Sequence, residues 1–203
     1  MNDFLKYLAD FGDSAVLIAL VLSAGLYLFW CRHNNEALAI LASLLVAGIL
    51  ISTLKLILLS CGGGYLNIRS PSGHSALSIS VYGTFGLLFF RYFKGWYRYL
   101  IAALFLILGF TIAISRVIMN LHSTGEVVLG SIIGVLVIIT IWFFLLRRKE
   151  AFIVSDKPRP FNIYIVIGIL ILVGGLVHGK RLPSEAFVED LARRVKASIE
   201  FCH

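Results

Sequence analysis

The stretch RSPSGHSALSISVYGTFGLLFF, residues 69–90, decides how this chain folds. Pro71-Ser72-Gly73-His74 comes directly before an apolar run, and this order predicts a loop that turns into a helix. The first backbone N–H groups of a helix have no intrahelical partner, and together with the helix dipole they form a site that receives an anion. Gly73 lets an anion approach the backbone, and Ser72 can add a hydroxyl hydrogen bond. Taken alone, the tetrapeptide also fits an ordinary helix cap beside a surface histidine.

Apolar runs like this one recur along the chain. The 203 residues are 59% hydrophobic with a mean hydropathy of +0.92, which membrane-spanning segments explain and which soluble domains rarely reach. A span must satisfy its own backbone hydrogen bonds in lipid, so we predict an all-α, polytopic membrane helix bundle with about six transmembrane helices. The apolar segments are Ser14–Trp30, Ala37–Leu54, Ala76–Phe90, Tyr99–Ile114, Val127–Leu146 and Ile163–Val177.

The sequence predicts two parts, a membrane-embedded domain over residues 1–182 and a C-terminal tail over residues 183–203. In the tail, apolar residues recur every four positions after Ser184, which predicts an amphipathic helix. They are Phe187, Leu191, Val195 and Ile199. Such a helix lies on the membrane surface or packs over the site, and binding of a partner is the alternative. The three cysteines show no metal-ligand spacing, and a Cys61–Cys202 disulfide stays open.

The formal net charge of +7 does not indicate binding to nucleic acid, because Lys and Arg cluster in short loops between the apolar runs. Such loops lie in the cytoplasm according to the positive-inside rule. Basic loops alternate with two loops of different character, residues 55–74 and 116–126, which carry the histidines and a carboxylate. These loops then face the periplasm or cell exterior, and we expect an integral protein of a bacterial inner membrane.

A second polar group follows the fourth apolar segment, where Ser115-Arg116 precedes His122 and Glu126. His122 and Glu126 stand at positions i and i+4, so they share one face of a helix. A carboxylate there fixes the imidazole tautomer and leaves the other nitrogen to attack or to take a proton. Each residue also has a simple structural explanation when it is taken alone. His122 and Glu126 can form a structural hydrogen bond, Arg116 can be an interfacial anchor, and Lys55 can be a lysine that snorkels to the membrane interface. With Lys55 and Arg69 added, only a common anion explains three cations, two histidines and a helix start on one face.

Two other catalytic classes fit these residues less well. A zinc site of His74, His122 and Glu126 would lie among three cations that repel a dication. A serine hydrolase using Ser72 with His122 needs an oxyanion hole, not three full positive charges. We therefore expect neither a metal nor another cofactor.

These motifs resemble those of the type 2 phosphatidic acid phosphatase family, the integral-membrane lipid phosphate phosphatases. That family is marked by Lys-x6-Arg-Pro, then Pro-Ser-Gly-His, then Ser-Arg-x5-His-x3-Asp. The resemblance covers residues 51–134 and is complete at Pro71–His74 and at Ser115, Arg116 and His122.

The chain departs from the family pattern in two places. No Arg-Pro follows Lys55 at the usual distance, where two glycines stand instead, and Arg69 is the candidate for the missing guanidinium. Glu126 replaces the aspartate of the family motif and keeps its charge and its capacity to accept hydrogen bonds.

The resemblance implies a metal-independent phosphatase in which His122 attacks phosphorus, Glu126 orients His122 and His74 protonates the leaving lipid oxygen. It also implies a set of phosphate-binding residues. These are Lys55, Arg69, Ser72, Gly73 and Arg116.

The implied substrate is a lipid phosphate or pyrophosphate of the bilayer. Undecaprenyl pyrophosphate, phosphatidic acid, phosphatidylglycerol phosphate and lipid A phosphates are candidates among which the motif does not choose. A lipid-to-lipid phosphotransferase on the same scaffold and a non-enzymatic lipid-phosphate binder or transporter stay open as alternatives, and the sequence does not determine the oligomeric state.

Overall fold

The computed structural model describes residues 2–60, 70–146 and 162–180, together with residues 190, 191 and 194. Over these residues the chain forms seven α-helices and one short π-helical turn, which confirms the predicted all-α class. The helices are α1 (Asn2–Asp10), α2 (Ser14–Trp30), α3 (Asn34–Ser60), α4 (Gly73–Tyr92), α5 (Tyr97–Ile118), α6 (Thr124–Ile141), continued by the π-helical turn Trp142–Leu146, and α7 (Ile163–Val177).

Helices α2 to α7 correspond to the six predicted apolar segments. The predicted bounds are correct for α2 and α7, whereas α3, α4 and α5 extend into polar residues at both ends. The most consequential extension is that of α3, which places Lys55 inside the helix rather than in a loop after it. The prediction omits α1 because its nine residues mix three charges with apolar side chains and so form no apolar run.

Several helices have the length and surface of membrane-embedded elements. Among the described residues, Asn34–Leu59, Tyr97–Ile118 and Thr124–Phe144 are long and apolar enough to span a membrane, while α2 and α7 are shorter apolar helices. Helix α5 also leaves large apolar side chains exposed along one face. They are Leu100, Leu104, Ile107, Phe110, Ile114 and Ile118. A continuous apolar surface of this kind is a contact surface for lipid or protein, and the chain is a membrane protein.

Helix α4 is the central helix of the bundle. It packs against α3, α5 and α6, and most of its side chains are buried. Two glycines of α6 allow a close approach: a Cβ atom at Gly130 would lie 2.5 Å from the Ser72 carbonyl oxygen, and one at Gly134 would lie 2.9 Å from the Ala76 carbonyl oxygen. Small residues let helix backbones approach each other in this way, so the start of α6 lies directly on the start of α4.

The two ends of the bundle differ in their chemistry. At one end, Arg91 Nη1 lies 3.7 Å from Glu36 Oε1, and the Tyr92 hydroxyl lies 2.9 Å from His33 Nδ1. These contacts join the start of α3 to the end of α4, beside the basic loop that follows α4. At the other end lie the starts of α2, α4 and α6 and the ends of α3 and α5, which carry the predicted catalytic residues.

Some predictions fall outside the described residues. The tail over residues 183–203 is described only at Asp190, Leu191 and Arg194, which are helical, and Arg194 Nε donates to Asp190 Oδ2 over 2.9 Å. Cys61 and Cys202 are not among the described residues, so the disulfide stays a prediction.

Candidate active site

Glu126 is the residue that connects the two predicted motifs. Its Oε2 lies 3.0 Å from His122 Nδ1 and accepts the Ser123 N–H over 3.1 Å, while its Oε1 accepts the Ser70 N–H over 3.0 Å. The Glu126 carbonyl accepts the Ser72 N–H over 3.0 Å. The buried Glu126 therefore binds both His122 and the backbone of Ser70 and Ser72, which directly precede α4.

The bond from Glu126 determines which nitrogen of His122 is reactive. A carboxylate only accepts hydrogen bonds, so His122 Nδ1 must carry the proton in this pair. The lone pair of a neutral imidazole then resides on Nε2. The predicted contact of His122 with the carboxylate at i+4 is present, although His122 lies before the N-cap Ser123 and not on a helix face shared with Glu126. The contact directs Nε2 to nucleophilic or basic chemistry.

Local hydrogen bonds place His122 at the entrance of α6. Ser123 is the N-cap of this helix: its Oγ accepts the Glu126 N–H over 3.3 Å, and the Glu126 side chain accepts the Ser123 N–H in return, which forms a capping box. Upstream, Asn120 adopts a left-handed conformation with φ of 54° at the end of α5. The Arg116 carbonyl accepts the Leu121 and His122 N–H groups over 3.0 and 3.3 Å, so this turn brings His122 beside the half-buried Arg116.

Ser72 forms the cap of α4. Its side chain is completely buried, and its Oγ accepts the N–H of Ser75 over 3.4 Å and the hydroxyl of Ser75 over 2.9 Å. The predicted transition from loop to helix is confirmed, with α4 beginning at Gly73. The structure thus shows Ser72 as a helix cap, and a phosphate contact from the same hydroxyl stays a prediction.

Lys55, Gly73 and His74 line one cavity of about 570 Å³. Lys55 is only 3% exposed, so it does not extend to a membrane surface as a snorkelling lysine would. The remaining lining comes mainly from apolar side chains of α2 and α3, including Leu22 and Leu41. Lys55 and Gly73, both predicted as phosphate-binding residues, therefore adjoin His74 at the wall of an apolar cavity.

A carboxylate that the sequence analysis missed stands next to His74. Asp13 Oδ2 lies 3.8 Å from His74 Nε2, and Asp13 is 6% exposed. Asp13 precedes the first apolar run and is the N-cap of α2, where its Oδ1 accepts the Ala15 N–H over 3.0 Å. The sequence Asp13-Ser14-Ala15 carries a signal for the cap, but it carries none for the distant histidine.

The structure thus assembles the predicted residues in two adjoining groups. His122, Glu126 and the Arg116 carbonyl form one group, and Lys55, Gly73 and His74 form the other; the Ser72 cap of α4 joins them. Arg69 is not among the described residues, so its place in the site stays a prediction. Within the described part of the chain, no three His, Cys, Asp or Glu residues are grouped so as to hold a metal ion.

Comparison with known proteins agrees with these motifs. A protein of Klebsiella pneumoniae, named "Uncharacterized 22.5 kDa protein in cps region", is 26% identical over 201 residues, which cover 94% of this chain and 90% of that protein. No solved structure matches the chain significantly. The PAP2 superfamily matches residues 56–150, which contain Pro71–His74, Ser115-Arg116, His122 and Glu126. This match confirms the resemblance: residues 56–150 of the chain are similar to the PAP2 superfamily, which supports phosphatase-type activity on a phosphoester.

Proposed function

We propose that this protein removes phosphate from a membrane lipid phosphate or pyrophosphate, without a metal, through a phosphohistidine at His122. The observation that carries the proposal is the 3.0 Å contact between His122 Nδ1 and Glu126 Oε2, at the point where α6 adjoins the start of α4. The Nε2 atom of His122 can act as a nucleophile, and the nearby start of α4 is suited to bind an anion. This arrangement suits attack on phosphorus.

In the first step, the lone pair of His122 Nε2 attacks phosphorus, and the bond between phosphorus and the lipid oxygen breaks. His74, as an imidazolium, gives its proton to that oxygen, so the lipid leaves as a neutral alcohol or as a lipid monophosphate. Glu126 stabilises the positive charge that His122 gains. Proton transfer from a positioned histidine contributes about 10²- to 10⁴-fold to such reactions.

In the second step, water attacks the phosphohistidine and the bond between phosphorus and nitrogen breaks. His74, now neutral, takes the proton from this water, and inorganic phosphate leaves. Lys55, Arg69, Arg116 and the Gly73 N–H hold the phosphoryl oxygens in both steps, and guanidinium groups suit this task because they bind such oxygens bidentately.

The cavity beside His74 supports a lipidic leaving group. Its polar lining comes from Ser14, Ser52, Lys55 and His74, which lie near the site end of their helices, and most other lining residues are apolar. Along α3 the lining extends from Leu41 to Lys55, about 20 Å at 1.5 Å per residue. A space of this length, apolar except beside the catalytic residues, suits a hydrocarbon chain attached to a phosphate.

The site end of the bundle faces the periplasm or cell exterior in this proposal, in a bacterial inner membrane. The support is the distribution of charge: Arg91 in the last turn of α4, Lys94 in the loop after it and Arg98 in the first turn of α5 lie together, whereas the catalytic residues lie at the opposite ends of the helices. Lipids of the outer leaflet, such as the carrier pyrophosphate undecaprenyl pyrophosphate, are then the accessible substrates.

The test is release of inorganic phosphate by the purified protein in detergent, from a panel of lipid phosphates and pyrophosphates, with chelator present. We expect release by the wild type and by His178→Ala, whose histidine is at the same end of the bundle but outside the site, and none by His122→Ala. Equal release by His122→Ala, or loss of activity with chelator that metal restores, contradicts the proposal. Phosphate transfer to an added acceptor lipid without release identifies a phosphotransferase instead.

A further inference from the structure

The N-terminal segment contributes a carboxylate to the site from outside the residues that the PAP2 superfamily matches. That match begins at residue 56, whereas Asp13 lies between α1 and α2. Asp13 is nevertheless buried, and its Oδ2 lies 3.8 Å from His74 Nε2.

The N-cap bond of α2 uses only one of the two carboxylate oxygens of Asp13. Oδ1 accepts the Ala15 N–H and caps the helix, as aspartate does at many helix starts. Serine or asparagine would cap equally well without a charge. The second oxygen, Oδ2, is the one that lies 3.8 Å from His74 Nε2, so the negative charge of Asp13 stands beside that imidazole.

The segment around Asp13 is held firmly against the helix that carries His74. The Tyr82 hydroxyl of α4 donates to the Phe11 carbonyl over 2.8 Å. Gly12 packs so closely on Ile112 of α5 that any side chain there would collide with it. These contacts keep Asp13 at one position relative to His74, which a charge needs if it is to orient an imidazole.

The charges around His74 make a neighbouring carboxylate important. Lys55 lines the same cavity from α3, and its positively charged ammonium group disfavours a positive charge on the nearby His74 imidazole. Glu126 of α6 accepts the backbone N–H of Ser72, two residues before His74, and its side chain is engaged with His122. Asp13 places a carboxylate oxygen 3.8 Å from His74 Nε2, and a negative charge at this distance favours the charged imidazole.

We propose that Asp13 is a positioning residue for the general acid: it keeps the His74 imidazole oriented and protonated, ready to give its proton to the leaving lipid oxygen. The proposal rests on the proposed function for the identity of the reaction. It assigns to the N-terminal segment a part in catalysis in addition to its part in the fold.

The test compares Asp13→Asn, which retains an N-cap but loses the charge, with Asp13→Glu and with the control Asp10→Asn on the same segment. For Asp13→Asn we expect kcat to fall on the order of 10- to 100-fold with little change in KM, because proton transfer to the leaving group becomes less efficient. The alkaline limb of the pH profile should move to lower pH, because His74 loses its proton more easily without the carboxylate. Asp13→Glu should recover part of kcat, and Asp10→Asn should behave as the wild type.

A second measurement does not depend on turnover. Nuclear magnetic resonance of the labelled His74 imidazole follows its proton directly, and the proposal predicts that Asp13→Asn loses this proton at lower pH than the wild type. An unchanged His74 titration overturns the proposal, even if the protein proves to be a phosphatase. A changed titration in a protein that releases no phosphate contradicts the proposed function and leaves the Asp13–His74 pair established.

Discussion

Glu126 shows how a single residue can serve both fold and chemistry. Its carboxylate is in contact with His122 and accepts the N–H groups of Ser70 and Ser123, and it completes the capping box of α6. The spacing of His122 and Glu126 predicted their contact on one helix face, but His122 precedes the N-cap Ser123, so the contact forms across the start of α6 rather than along it. The bond to Ser70 was not predictable, because it joins segments 56 residues apart in sequence.

Replacing Glu126 by Gln should lower kcat by about 10²- to 10⁴-fold, in line with the loss of an orienting carboxylate in other histidine-based sites. Glutamine offers one accepting oxygen and one donating NH₂ group to a position surrounded by donors, so it cannot hold His122 and both backbone N–H groups together. The measurement is steady-state phosphate release.

Glu126→Asp is the matched control for this change, since aspartate stands at this position in the family motif. It retains the charge and should keep more activity than Glu126→Gln. Equal loss in both variants would show that length, and not charge, is the property that His122 requires.

At the scale of helices, the apolar pattern predicted the long apolar helices better than the segments that shape the site. Helices α2 to α7 appear where the apolar segments predicted them, because long apolar runs have few alternatives in a membrane. Helix α1 and the continuation of α3 beyond Leu54 were not predicted, because charged residues interrupt the pattern there. Both regions carry site residues, Asp13 directly after α1 and Lys55 within α3.

The crossing of α4 and α6 depends on Gly130. A Cβ atom at Gly130 would lie 2.5 Å from the Ser72 carbonyl oxygen, so Gly130→Ala should force the two helix starts apart. We expect a loss of about 1–3 kcal/mol in stability from overpacking, together with reduced phosphate release as the bond between Ser72 and Glu126 is strained. Thermal unfolding in detergent measures the first effect.

Gly168→Ala in α7 is the control, because nothing lies within 4 Å of the position of its Cβ atom. It should unfold at a temperature similar to that of the wild type. If both alanine variants have the same unfolding temperature, the close contact of α4 and α6 does not contribute to stability.

At the scale of the whole molecule, the basic loop after α4 lies at one end of the bundle and the candidate active site lies at the other end. The predicted orientation puts the basic loop after α4 in the cytoplasm and the turn between α5 and α6 outside. Single cysteines test this in a protein whose three native cysteines are replaced by serine. A membrane-impermeant maleimide should label Leu121→Cys in intact cells, and Lys94→Cys only after the cells are opened. The reverse pattern would invert the orientation and place the site in the cytoplasm.

The covalent role of His122 is the central claim, and trapping the phosphoenzyme tests it most directly. The protein is mixed with a lipid phosphate labelled at phosphorus and quenched in alkali, in which phosphohistidine is stable. We predict label on the peptide that contains His122, lost on acid treatment, present in His178→Ala and absent from His122→Ala. Label that persists in His122→Ala, or phosphate release by a wild-type protein that never carries label, would contradict the account.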